Sequence, residues 1–200
     1  MRWQRSRVTR ERRWSALGRK GATVWFTGLP GAGKSTLAAA TEERLIDLGQ
    51  VAMLLDGDNL RHGLNGDLGF DKGARAENIR RTAHVARLLA ESGAIALVSL
   101  VSPYMRDREA AAELHRREQI DFLEVFVDAP LAVCEARDPK GLYARARSGE
   151  LSGLTGVDAP YEAPTEADVV LGRDGAEVDS DVDRVLRLLA ERELAGTCAA

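Results

Sequence analysis

Gly28-Leu-Pro-Gly31-Ala-Gly33-Lys34-Ser35-Thr36 is the stretch on which the reading of this chain turns. It fits the pattern G-x-x-x-x-G-K-[ST] in full. Its flanks carry as much weight as the string. Ala22-Thr-Val-Trp-Phe-Thr27 is a β-branched and aromatic run that stops at Gly28, which predicts a buried strand. Lys34 to Leu48 has helical spacing, with Leu37, Thr41, Leu45 and Leu48 on one face and Gly49 past its end. A glycine-rich turn between a strand and a helix lets successive backbone N–H groups point at one anion, and the helix N-terminus adds its positive dipole end. Lys34 then places a point charge on the β- and γ-phosphates of a nucleoside triphosphate, and Ser35 offers a hydroxyl to Mg2+. The alternative is an ordinary strand-to-helix turn, which leaves the Lys-Ser pair unexplained. The nucleotide-binding residues expected from the motif are Gly28, Leu29, Pro30, Gly31, Ala32, Gly33, Lys34, Ser35 and Thr36.

Outward from the loop, strands and helices alternate. Val51–Leu55 is a second apolar run and ends at Asp56. Ala76–Ser92 reads as a long helix with Ile79, Ala83, Ala86 and Leu89–Ala90 on its apolar side, stopped by Gly93. Ala94–Val101 is nearly continuous hydrophobe, as a central parallel strand covered on both faces should be. Arg106–Arg117 reads as a charged and therefore peripheral helix. Phe122–Val127 is a fourth strand, Pro130–Arg137 a short helix with proline in its first turn, Val169–Leu171 a last strand and Val182–Leu194 a last helix. The order βαβαβαβαβα predicts an α/β fold of the P-loop NTPase type, one doubly wound parallel sheet with helices on both faces. Ligands of such sheets sit at the carboxyl ends of the strands, here Gly28, Asp56, Val101 and Asp128. Residues 138–164 lack periodicity and mix glycines with both charges, which marks them as a lid.

The 200 residues are 44% hydrophobic and 30% charged, the composition of a soluble globular domain. No stretch approaches the ~18–20 apolar residues of a membrane span, and the basic N-terminus has no apolar run behind it, so no membrane role or secretory signal is expected. Cys134 and Cys198 make neither a disulfide framework nor a metal cluster, which suits a reducing, cytoplasmic setting. The net charge of −3 argues against nucleic acid as a partner. It hides an asymmetry: Arg2, Arg5, Arg7, Arg10, Arg12, Arg13, Arg19 and Lys20 face one acid, Glu11, within the first twenty residues. Residues 1–20 read as a partly disordered basic arm, with Trp3 and Trp14 as anchors if it docks on a partner subunit or an anionic ligand. Residues 21–197 are then one domain.

Three features favour a small-molecule kinase. There is no Asn-Lys-x-Asp guanine signature. Asp56-Gly57-Asp58-Asn59 presents acids at the ligand edge of the sheet, Asp56 at least as a turn cap. A lid that excludes water keeps the γ-phosphoryl group from hydrolysis. Arg61, Arg75, Arg80 and Arg81 concentrate cations near the same edge, suiting a phosphate- or sulfate-bearing acceptor. His62 and His84 have no ligand spacing and read as structural.

These segments, taken in order, resemble the adenylylsulfate kinases (APS kinases) from about residue 20 to 171. The resemblance rests on Gly21–Gly28 before the loop, Asp56–Asn65, Asp67-Leu-Gly-Phe70, Arg75-Ala-Glu-Asn78-Ile-Arg-Arg81 and Val101-Ser-Pro-Tyr104. It continues through Val125–Leu131, Cys134-Glu-Ala-Arg-Asp-Pro-Lys140-Gly-Leu-Tyr143, Leu154-Thr-Gly-Val-Asp158 and Tyr161-Glu-Ala-Pro164. It implies transfer of the γ-phosphoryl group of ATP, with Mg2+, to the 3′-hydroxyl of adenosine 5′-phosphosulfate (APS), giving 3′-phosphoadenosine 5′-phosphosulfate (PAPS) in sulfate activation and assimilation. It further implies a homodimer and an ATP sulfurylase on a separate chain upstream. Carried over by motif, Asp58 is general base or, directly or through water, a Mg2+ ligand beside Ser35. Lys34 and Lys140 act on the phosphates. Arg61, Arg75 and Asn78 hold the phosphosulfate and ribose, Phe70 stacks on the acceptor adenine, and Val101–Ser102 lines the acceptor site. Ser102 is a phospho-acceptor in some family descriptions, although in-line transfer needs no covalent intermediate.

The chain departs from the family pattern on the acceptor side. Ala74 stands where an aspartate is usual before Arg75, and Met105 where many members have arginine. Leu154 replaces a phenylalanine, so the adenine is expected between Phe70 and an aliphatic side chain, with the loss of an aromatic contact worth roughly 0.5–1.5 kcal/mol. The alternatives are a kinase of this fold with a different nucleotide-like or anionic acceptor, and a weakly active partner subunit of an ATP sulfurylase.

Overall fold

Apolar runs bounded by glycines and acids give thirteen elements among the residues described, which are Gln4, 6–172 and 177–195 of a computed structural model. The expectations for Trp3, Arg2, Arg5, Cys198 and the domain end at 197 lie outside those residues. In chain order the elements are α1 (Arg10–Leu17), β1 (Ala22–Thr27), α2 (Lys34–Asp47), β2 (Ala52–Asp56), α3 (Gly57–Leu60), α4 (Lys72–Ser92) and β3 (Ile95–Ser99). They continue with α5 (Met105–Arg117), β4 (Asp121–Val127), α6 (Leu131–Arg137), α7 (Leu142–Arg147), β5 (Val169–Leu171) and α8 (Val178–Glu191).

The five strands form one parallel sheet in the order β2-β3-β1-β4-β5. β1 lies at its centre and every residue of it is buried, which explains why its sequence does not alternate. One face carries the core of Val24, Phe26, Leu37, Leu45, Leu97, Val125, Val185 and Leu189, so it is covered by α2 and α8. The other carries Trp25, Leu55, Ile79, Ala83, Ala86 and Val98, covered by α4 and α5. The chain crosses from β1 to one side for β2 and β3, then to the other for β4 and β5. The crevice left at that switch lies over the carboxyl ends of the strands. Among the described residues no helix is long and apolar enough to cross a membrane.

Four differences from the sequence reading have physical causes. The basic segment contains α1, capped by the Thr9 hydroxyl on Arg12 N (3.2 Å) and docked on α4 by Trp14 Nε1, which donates to the Ala90 carbonyl (3.1 Å). Its charges hid a short helix whose stability comes from that docking. α4 begins at Lys72, not Ala76, because the Asp71 carboxylate accepts from Gly73 N and Ala74 N (2.9 and 3.0 Å). Residues 138–164 contain α7, which Asp138 starts by accepting from Tyr143 N and Ala144 N. α5 is not peripheral, since Asp107, Arg108 and His115 are buried. Charge marks exposure only when it is unpaired, and Arg108 has its carboxylate partner in Glu124 (2.7 Å).

His115 shows the same point for a titratable ring. Its Nδ1 faces the Ala111 carbonyl (2.8 Å) and so carries the proton, leaving Nε2 to accept from the Thr23 hydroxyl (2.9 Å). Burial lowers its pKa from 6.5 to about 4. The unfolded chain therefore binds a proton below 6.5 that the fold refuses until about 4, and stability falls as pH drops through that window. Urea midpoints at about pH 7.5 and about pH 5 should show a loss of roughly 2 kcal/mol in the wild type. A His115→Gln variant should lose that much less over the same interval; equal losses would refute the assignment.

Candidate active site

The turn after β1 is built for close approach. A Cβ on Gly28 would sit 2.5 Å from the Val127 carbonyl of β4, so the loop needs glycine there. Gly33 enters α2 at φ 104°, in the left-handed region that glycine populates without penalty. Lys34 is buried, and its Nζ donates to the carbonyls of Gly28 (3.0 Å) and Leu29 (2.8 Å), closing the loop on itself. Burial lowers its pKa to about 8, with the nearby Lys140 ammonium acting in the same direction and Asp56 and Asp58 opposing it. Ser35 and Thr36 are exposed at the first turn of α2. Ala32 is buried beneath them, and the Pro30 carbonyl accepts from the buried Tyr143 hydroxyl of α7 (2.8 Å).

Asp56 ends β2 and joins two parts of the site. One carboxylate oxygen accepts from Ser35 Oγ (2.6 Å), the other from Asp58 N (3.0 Å), which starts α3. The sequence reading gave Asp56 the cap; its bond to Ser35 is a partnership that sequence spacing did not show. Asp58 pairs with Lys140 from the segment between α6 and α7. Asp58 stands between the phosphate loop, which Asp56 links to it through Ser35, and Arg61 at the end of α3.

On the far side of Asp58 lie Arg61 and Arg75. Arg61 donates to the carbonyls of Leu68 (2.9 Å) and Gly69 (3.1 Å), and its guanidinium lies 4.1 Å from the centre of the Phe70 ring. Arg75 donates to the Phe70 carbonyl (2.7 Å), to Thr155 Oγ1 (2.6 Å) and to the Gly153 carbonyl (2.5 Å). One guanidinium thereby brings the Phe70 loop against the 153–155 segment. Among the described residues neither arginine meets a carboxylate within 4 Å. Partial burial and the neighbouring Arg75 both lower the pKa of Arg61, a sign of two cations held close together. Arg80 and Arg81 differ: Glu77 and Asp67 neutralise them on the surface of α4, and the Glu77 carboxyl drops to about 2.

The remaining expected residues are placed as follows. Phe70 is 69% exposed, an open ring face. Leu154 is buried among core residues, between Gly153 and Thr155, which Arg75 holds. Asn78 is buried, and its side-chain oxygen accepts from Asn65 Nδ2 (2.9 Å), which ties the 61–70 loop to α4. The Val101 carbonyl accepts from Thr27 Oγ1 (2.8 Å). Ser102 is buried at φ 39°, its hydroxyl accepting from Trp25 Nε1 (3.1 Å) and donating to Thr27 Oγ1 (3.0 Å). Arg137, which the sequence reading did not single out, reaches the Ala32 carbonyl (3.4 Å) at the end of the phosphate loop. Ser35 Oγ and the Asp56 carboxylate are hard oxygen donors beside the loop and fit Mg2+, which takes a hydroxyl, a carboxylate and substrate phosphates rather than an all-protein cage.

A family profile for adenylylsulphate kinase matches residues 20–172. The chain belongs to the adenylylsulphate kinase family. It is 50% identical over 189 residues to the adenylyl-sulfate kinase of Aeromonas salmonicida, covering 94% of this chain and 95% of the relative. Its fold superposes with a TM-score of 0.84 and 51% identity on the Mycobacterium tuberculosis APS kinase CysC in complex with AMPPNP and APS, covering 86% of this chain and 99% of that one. A hexameric APS kinase from Thiobacillus denitrificans matches at 29% identity and a TM-score of 0.69, this chain covering 31% of that one. The P-loop kinase fold and the phosphotransferase class follow from these matches.

Lys34 should make nucleotide binding sensitive to alkali. With its pKa at about 8 in the free protein, the amine loses its charge as pH rises. The dissociation constant of ATP, measured by calorimetry, should weaken ~10-fold between about pH 7 and about pH 9. A flat profile would show that Lys34 stays charged in the free loop.

Proposed function

We propose that this chain transfers the γ-phosphoryl group of ATP to the 3′-hydroxyl of APS, giving PAPS and ADP, with Asp58 at the reacting hydroxyl. The observation that carries this reading is the position of Asp58, tied through Asp56 to Ser35 on the donor side, paired with Lys140, and set on the short helix that ends at Arg61 on the acceptor side. Phosphoryl transfer is chiefly positioning and charge neutralisation, and the crevice supplies both.

The nucleotide phosphates replace the Gly28 and Leu29 carbonyls as partners of Lys34, while the backbone N–H groups of the loop hold the β-phosphate. Ser35, with Asp56 behind it and Asp58 nearby, would hold Mg2+, which supplies positive charge to the phosphates. Arg61 and Arg75 exchange carbonyl partners for the phosphosulfate of the acceptor. The exposed face of Phe70 stacks on its adenine, since Arg61 covers the other. Asp58 accepts the proton of the 3′-hydroxyl as the new O–P bond forms and the bond from the γ-phosphorus to the β-bridging oxygen breaks, releasing ADP. Lys140 passes from Asp58 to the transferring phosphoryl group. Asn78 acts at one remove, by fixing the loop that carries Arg61. The same reading includes a homodimer as the working form.

ADP release with ATP, Mg2+ and APS should proceed with APS and not with AMP or adenosine. Release with another acceptor alone would overturn the choice of substrate. Asp58→Asn should lower kcat by ~10²-fold or more. An unchanged kcat would remove Asp58 from the reacting hydroxyl.

A further inference from the structure

We propose that Arg108 is a positioning residue for this reaction, a three-way clamp that holds the wall of the acceptor site against the base of the lid. The proposal rests on the reading that the Val101–Ser102 backbone lines the acceptor site. Arg108 is 3% exposed, yet it lies in the charged helix α5 and belongs to none of the motifs that mark the site. Each part of its guanidinium goes to a different element. Nε donates to Glu124 Oε1 on β4 (2.7 Å), Nη1 to the Ser102 carbonyl (2.8 Å) and Nη2 to the Glu162 carbonyl (2.7 Å).

The two carbonyls are the informative partners. Ser102 has φ 39°, in the left-handed region that a residue with a side chain rarely adopts. Such a conformation persists only where the surroundings over-determine it. Here the Ser102 hydroxyl is fixed by Trp25 and Thr27, and its carbonyl by Arg108. Glu162 sits at the return end of the lid. It is stitched to the same turn from the other side: its N–H donates to the Pro103 carbonyl (2.8 Å), and its carboxylate accepts from Met105 N (2.7 Å), the first N–H of α5. Its neighbour Tyr161 stacks on Phe126 (centroids 5.9 Å apart), shares a hydrogen bond with Thr27 Oγ1 (3.0 Å), and lies 5.8 Å from the Arg108 guanidinium. Wall and lid base thus meet at one buried cation, and Glu124 neutralises that cation without competing for the two carbonyls.

A planar fork can serve three acceptors in fixed directions, whereas a lysine ammonium cannot reproduce that geometry at the same reach. Arg108→Lys therefore keeps the charge and loses the clamp. Because small displacements of the reacting groups are costly in transfer reactions, the effect should appear in the acceptor parameters. KM for APS should rise ~10-fold and kcat should fall, while KM for ATP stays within about twofold. Tyr161→Phe, which removes one hydroxyl and leaves Arg108 in place, should shift the same parameters in the same direction by less. Equal rises in both KM values, or a fall in kcat with both KM values unchanged, would overturn the proposal in favour of a general role in folding.

A second measurement does not depend on turnover. Amide hydrogen exchange in the full chain should speed up in Arg108→Lys at residues 101–105 and 160–163 together, with β1 and the phosphate loop unchanged. Faster exchange in α5 alone, or across the whole sheet, would refute the clamp. If the exchange result holds and the APS kinetics do not change, the clamp stands and the placing of the acceptor beside Ser102 is what fails. If wild-type enzyme does not turn over APS at all, the activity reading fails on its own terms.

Discussion

The Asp56 carboxylate is the junction on which the site depends. One oxygen accepts from Ser35 at the start of α2, the other from Asp58 N at the start of α3. Each hydrogen bond to a charged group contributes about 1.5–3 kcal/mol. More important is what they join: the phosphate loop on one side, and the short helix that carries Asp58 and ends at Arg61 on the other. Asp56 can do this because β2 and β1 both run parallel to β3, which brings their carboxyl ends to one edge. The bond to Ser99 Oγ (3.1 Å from Ser35) adds the end of β3 to the same cluster. Two strand ends and the first turn of α2 are therefore tied through two hydroxyls and one carboxylate.

That arrangement explains where an acidic protein keeps its cations. The net charge is −3, and most arginines of the described surface are matched locally to carboxylates, as Arg80, Arg81, Arg116 and Arg117 are. The cations of the crevice bond instead to backbone carbonyls and hydroxyls, apart from Lys140 on Asp58. A uniformly basic surface would attract any polyanion. A group of cations with neutral partners at one edge favours ligands that fit between Lys34 and Arg75.

The sheet and the phosphate loop were legible because they obey local rules. An apolar run ending in glycine, followed by helical spacing from Lys34, leaves few folds open, and the five strands fall where the runs predict them. The acid-rich end of β2 was legible for the same reason. What was not legible depends on pairing at long range. Arg108 looks like any arginine of a charged helix until Glu124, sixteen residues on, and Glu162 arrive beside it. Trp14 reads as an anchor from the sequence, but its partner, the Ala90 carbonyl of α4 in the same chain, is not visible there. Leu154 reads as an acceptor-facing residue from its motif, and its packing among core residues is what the motif did not show. Asn78 likewise reads as a ligand contact, and the structure gives its oxygen to Asn65.

The partners that Arg61 and Arg75 use in the free protein say why the crevice binds anions readily. A guanidinium engaged with a carboxylate gives up a charge-assisted pair when it turns to a phosphate, and the exchange gains little. A guanidinium engaged with neutral carbonyls has no opposite charge beside it, so turning to a phosphate adds charge–charge attraction and a bidentate fit that the carbonyls do not supply. The carbonyls of Leu68, Gly69 and Gly153 hold the two forks in place without neutralising them. Lys34 follows the same logic with Gly28 and Leu29, and burial raises the cost of leaving its charge unmatched. The free site thus carries pre-positioned cations with neutral partners, and each half gains electrostatically when its own anionic ligand arrives.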